Sequence, residues 1–101
     1  MPRIRTHPGE VLREEFMIPL GITANALALA LRVPATRIGD ILRADKPRAV
    51  TADTAIRLAR YFGTTPEFWL NLQTAYDLSI AVSESGAAIE RDVHPREDQA
   101  A

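Results

Sequence analysis

A chain of 101 residues has room for one small domain, so catalytic and binding units cannot sit in separate folds. Its apolar share of 47% can fill a core, yet no apolar run approaches the roughly 18 residues of a membrane span, and the lack of cysteine excludes disulfides and thiolate metal sites. The formal net charge of -1 conceals an asymmetry: residues 1–50 hold eight Arg or Lys against five Asp or Glu, whereas residues 51–101 hold four against eight. The basic half is the candidate surface for an anionic partner.

Apolar residues recur three and four apart almost throughout, without period-two alternation, which predicts an all-α fold of five helices. The N-terminal Met1-Pro2-Arg3-Ile4-Arg5 lacks the apolar stretch of a secretory signal, and the expected localisation is cytoplasmic. The first helix is expected from about residue 8 to residue 17, opened by Pro8 and stopped by Pro19 and Gly21. Thr23 reads as the N-cap of a second helix that aligns Leu27, Ala28 and Leu31 on one face and ends in the turn Arg32-Val33-Pro34. A third helix follows at once, with Ile38, Ile41 and Leu42 inward and Ala35, Thr36, Arg37, Gly39, Asp40 and Arg43 outward. Residues 44–50 form a connection that exposes Lys46 and Arg48. Thr51 or Asp53 caps the fourth helix, whose core face is read as Ala55, Ile56, Ala59 and Phe62, with Gly63 as its stop. Thr65 and Pro66 open the fifth, expected to run to about Val82 with Phe68, Trp69, Leu72, Tyr76 and Ile80. Residues 83–101 read as a polar tail beyond a domain of residues 1–82, because few apolar groups offset their ordering entropy.

The second and third helices are joined by a turn too short for anything but a sharp crossing, with small Ala28 at the contact and Leu27, Leu31, Val33, Ile38 and Ile41 as a shared core. Such a pair is a helix-turn-helix whose second member can enter a DNA major groove. Arg37 can donate two hydrogen bonds to guanine, Thr36 can bond a base edge or touch a thymine methyl, and Asp40 can accept from cytosine. Arg43, Lys46 and Arg48, past the helix, suit phosphates, as does Asn25 at the start of the second helix. The competing account makes Arg37, Asp40 and Arg43 surface ion pairs worth about 0.3–0.5 kcal/mol each. Phe68, Trp69, Leu72 and Tyr76 are expected to serve both the core and a dimer contact, since a palindromic operator needs a two-fold partner. His7 and His94 lack metal-ligand spacing and read as surface residues. Ser79, Ser83 and Ser85 have no nucleophile context, and Glu14 and Glu15 do not face each other. No catalytic residue, metal or cofactor is expected.

Residues 7–78 resemble the HigA family of antitoxins within the lambda-repressor-like, or XRE, group. The resemblance rests on His7-Pro8-Gly9-Glu10 with Leu12 and Glu14-Glu15-Phe16, on Pro19-Leu20-Gly21 and Asn25-Ala26-Leu27-Ala28, and on Thr51-Ala52-Asp53-Thr54-Ala55. It continues through Leu58-Ala59-Arg60-Tyr61-Phe62-Gly63-Thr64 to Pro66-Glu67-Phe68-Trp69-Leu70-Asn71-Leu72-Gln73 and Tyr76-Asp77-Leu78. It implies a five-helix lambda-repressor-like domain and a homodimer that represses its own operon and neutralises a HigB-type toxin, a RelE-like ribonuclease. It places base reading on Ala35, Thr36, Arg37 and Asp40, with phosphate contacts near Asn25, Arg43 and Lys46. The chain departs from the family at Ala24, where glutamine is frequent, at Arg32, where glycine is frequent, and in Ala44-Asp45-Lys46-Pro47-Arg48, which replaces a glycine-lysine-arginine run. A positive φ in the turn at Arg32 would then have to be carried with strain or avoided.

The resulting expectation is a non-enzymatic, sequence-specific repressor and antitoxin whose partners are double-stranded operator DNA, a second copy and a toxin protein, with no membrane and no small-molecule substrate. Two alternatives stand beside it: a solitary XRE-type regulator without a toxin, and a protein-interaction module in which the helix pair is only scaffold.

Overall fold

The computed structural model describes residues 3–97. Among them five helices follow one another and there is no strand. Helix α1 spans Pro8–Leu20, α2 Ala24–Leu31, α3 Ala35–Ile41, α4 Ala52–Phe62 and α5 Pro66–Asp92. Three threonines set helix starts by one local device, the hydroxyl of Thr23, Thr51 or Thr65 accepting from the backbone N–H three residues on. Gly21 and Gly63 end α1 and α4 in the left-handed region, where a glycine carries no Cβ penalty.

Helix α1 runs three residues past its expected end, through Pro19. Its middle, Leu12–Met17, is π-helical, so the Ile18 N–H bonds back to the Arg13 carbonyl. Proline offers no N–H to the carbonyl four residues before it and its ring crowds that oxygen. The widened turns just ahead of Pro19 relieve the conflict and let the helix continue.

The core gathers Leu12 and Met17 of α1, Leu27, Ala28 and Leu31 of α2, Ile38 and Ile41 of α3, Val50, Ala55, Leu58 and Ala59, and Trp69 of α5. Phe16, Phe62 and Phe68 ring Trp69 with centroids 5.3, 6.5 and 5.1 Å away, and the indole N–H donates to the Thr64 hydroxyl at 2.8 Å. On α4 the buried set is Thr54, Ala55, Leu58 and Ala59. Ile56, expected inside, is 58% exposed: positions 54, 55, 58 and 59 already fill the core-facing arc of a 3.6-residue helix, and 56 falls outside it. Buried Thr54 is tolerable because its hydroxyl bonds that of Thr51.

The fifth helix does not stop near Val82 but continues ten residues to Asp92. Of the residues read as tail, 83–92 are helical, because extending an existing helix adds a backbone hydrogen bond per residue and needs no packing partner, whereas 93–97 are not helical and 98–101 lie outside the described residues. Beyond Ile80 this helix buries none of its residues and extends past the globular part, giving extents of 54 × 27 × 22 Å.

Candidate nucleic-acid interface

Helices α2 and α3 form the expected helix-turn-helix. The turn is closed by Arg32 at φ 61°, ψ 44°, the left-handed conformation. Its N–H and that of Val33 cap the last carbonyls of α2. The chain therefore accepts the strain of a non-glycine residue there, about 1–2 kcal/mol.

Neighbouring helices hold both members of the motif by their C-termini, where orphan carbonyls concentrate negative charge. Arg57 of α4 donates from Nη1 to the Leu31 carbonyl at 2.9 Å. Arg13 of α1 donates from Nη2 to the Leu42 carbonyl, just past α3. Gly9 of α1 lies so close to α3 that an added Cβ would sit 2.1 Å from the Ile41 carbonyl oxygen, and the Gly9 N–H donates to His7 Nδ1 at 2.9 Å. The loop after α3 is tied to α5 by the buried Gln73, whose Oε1 accepts the Val50 N–H at 2.8 Å and whose Nε2 donates to Asp77. On the far side Ser79 accepts the Arg5 N–H and donates to the Tyr76 carbonyl.

Of the expected DNA-facing residues, Asn25, Ala35, Thr36, Arg43, Lys46 and Arg48 are exposed and Asp40 is half-buried. Arg48 lies 4.0 Å from Asp40, and its backbone N–H bonds the Asp40 carbonyl, so the loop folds back along α3. Arg43 pairs with Asp45 at 3.2 Å and holds that carboxyl below the usual range, chiefly through the hydrogen bond. Arg37 stands apart: Nη1 reaches Asp53 Oδ2 at 2.9 Å, the same oxygen that accepts from Arg57 Nε at 2.9 Å. Both guanidiniums lower the Asp53 pKa, Arg57 more than Arg37. Ion pairs thus exist, as the competing account required, but not among Arg37, Asp40 and Arg43: their partners are Asp53, Arg48 and Asp45.

Among the expected dimer residues, Trp69 is fully buried inside its own protomer, Leu72 and Tyr76 are half-buried and Phe68 is 39% exposed. His7 is not a surface residue as expected but is 7% exposed, packed edge-on against Tyr76 with centroids 4.8 Å apart. Burial lowers its pKa, partly opposed by the charge of Asp77. His94 is exposed. The sequence analysis assigned no role at this interface to Gly9, Arg13, Asp53, Arg57 or Gln73. The only local signals were a glycine in a first helical turn, where none is needed for φ, and a glutamine on the inner side of α5.

A helix-turn-helix family profile matches residues 12–69. Virulence-associated protein I of Dichelobacter nodosus is 57% identical over 80% of this chain and 71% of its own length. An addiction module antidote protein of the HigA family from Coxiella burnetii superposes with a TM-score of 0.85 at 50% identity, covering 93% of this chain and 100% of that one. The Pseudomonas aeruginosa antitoxin HigA, solved with the higBA promoter, has a TM-score of 0.86 at 46% identity, covering 92% and 98%. Fold, profile and relatives agree, and the chain belongs to the XRE-type helix-turn-helix family that contains the HigA antitoxins.

Proposed function

We propose that this protein is a cytoplasmic transcriptional repressor that binds operator DNA as a homodimer and acts as the antitoxin of a HigB/HigA-type pair, neutralising a RelE-like ribonuclease toxin. The observation that carries the DNA reading is the exposed face of α3, continued past its C-terminus by Arg43, Lys46 and Arg48. The structure of the Pseudomonas aeruginosa relative with the higBA promoter supports it. Asn25, Ala35, Thr36 and Asp40 face the duplex with Arg37 beside them, and the cations beyond the helix take phosphates. The pairs Arg43–Asp45 and Arg48–Asp40 are exposed, and such pairs give way readily to phosphate.

Dimerisation uses α5. Phe68, Leu72 and Tyr76 lie on its inner half, and farther along Leu78, Val82 and Ile89 are 60%, 47% and 53% exposed, spaced four and seven apart as one apolar stripe. A gel-shift titration against the protein's own promoter at two salt concentrations tests the reading. We expect specific binding that weakens steeply with salt. Equal affinity for unrelated duplexes, or sedimentation as a monomer at micromolar concentration, sinks it. Co-purification with the product of an adjacent small reading frame tests the antitoxin role separately: a solitary regulator captures no ribonuclease.

A further inference from the structure

Within α3 the outward face consists of Ala35, Thr36, Gly39 and Asp40, with Arg43 just past the C-terminus, and the one arginine inside the helix, Arg37, points elsewhere. At 100° per residue, Ala35, Thr36, Gly39, Asp40 and Arg43 share one arc, whereas Arg37 falls roughly 130° from its centre, toward α4. The side chain follows that direction. It is 28% exposed and bound at 2.9 Å to Asp53, which Arg57 also grips while capping α2. Arg37 is thus part of the bracket that fixes the helix pair on α4. To lay its fork on a guanine edge it would have to leave this bracket and swing around the helix.

Gly39 adds an independent observation. Its φ is not positive, and a Cβ built on it meets nothing within 4 Å. Nothing inside the protomer therefore requires glycine at a mid-helix position, where it costs about 1 kcal/mol relative to alanine. The remaining physical use is close approach of the backbone to a ligand. With Ala35 and Thr36 one turn before it, a face this shallow lets the helix axis sit deep in a major groove, where its methyl groups meet the thymine C5-methyl, the apolar mark a base pair displays there.

Building on the repressor reading above, we propose that this chain selects its operator through thymine methyl groups packed against Ala35, Thr36 and the Gly39 backbone. Arg37 is a positioning residue held by Asp53. The ligand is accordingly a duplex with thymines under the N-terminal half of α3 in each half-site.

The test uses the full chain and its promoter fragment, with each thymine of the bound site replaced in turn by deoxyuridine, which lacks only the methyl. We expect a loss of about fourfold at one or two positions per half-site, the worth of one buried methyl group. Arg37→Ala weakens all sites by a common factor without changing the base-preference profile. Arg37→Lys restores affinity and again leaves that profile unchanged, because a lysine ammonium still pairs with Asp53. Gly39→Ala keeps or raises Tm while lowering operator affinity. The proposal is overturned if deoxyuridine is neutral at every position, if Arg37→Ala relaxes preference at one particular base pair, or if Gly39→Ala binds as the wild type does. Wild-type protein that does not distinguish its promoter from unrelated DNA overturns the repressor reading instead, before any of these comparisons is made.

Discussion

The two halves of α5 are one continuous helix under opposite constraints. The first half carries Trp69, Gln73 and Ser79, all buried and each hydrogen-bonded to another segment or turn. The second half exposes Val82 and Ile89. Helicity alone therefore says nothing about what a segment contributes. The inner half is held by packing and orients the DNA-binding motif, whereas the outer half persists by backbone propagation and offers its side chains to something else.

The contrast can be broken most forcefully at Trp69. Trp69→Ala should cost about 3–5 kcal/mol and abolish cooperative unfolding near ambient temperature. Val82→Asp on the outer half should leave the denaturation midpoint of the monomer within about 0.5 kcal/mol while weakening self-association. Equal destabilisation by both changes would erase the distinction between the halves. Next in size, Gly9→Ala drives a methyl group into the Ile41 carbonyl. Overpacking against rigid backbone should cost about 1–3 kcal/mol and lower DNA affinity by displacing α3. Chemical denaturation and gel shift check the two parts, and a mutant as stable as the wild type would mean that α1 yields at no cost.

A smaller effect of opposite sign is expected at the turn. Arg32→Gly removes the left-handed penalty but adds freedom to the unfolded chain, so a net gain of about 0.5–1 kcal/mol should appear as a raised Tm. A lowered Tm would show that the Arg32 side chain contributes more than its backbone costs. The subtlest test is pH. Burial holds the folded-state pKa of His7 below its ordinary 6.5. Between that depressed value and about 6.5 the unfolded chain binds more protons than the folded one, so the His7 contribution is full above 6.5 and is lost as pH falls through that window. In His7→Asn, which keeps a side-chain acceptor for the Gly9 N–H, the decline of stability below pH 6.5 should flatten. An unchanged slope would place the titrating group elsewhere.

The helix-turn-helix was legible because its signals are local. Its caps are hydrogen bonds reaching three residues, and the inward faces of α2 and α3 follow from a 3.6-residue period. The positions of Asn25, Ala35, Thr36, Lys46 and Arg48 on the surface came with them. The direction of Arg37 did not, because its partner lies sixteen residues ahead on another helix.

Composition and periodicity by themselves indicated five helices, starts at Thr23 and Thr65 with Thr51 or Asp53 between them, a stop at Gly63, and which face of the second and third turns inward. Tertiary structure alone decided that His7 is buried, that Ile56 is not, that Gly9 abuts Ile41, and that Arg13 and Arg57 hold the ends of the DNA-binding pair. The physical reason is range. A cap or an amphipathic stripe is closed within one or two turns, whereas burial and capping from a neighbour join residues 26 to 29 apart, as at Arg57–Leu31 and Arg13–Leu42, and up to 74 apart at Arg5–Ser79. No window of sequence contains both partners of such a contact until the chain has folded.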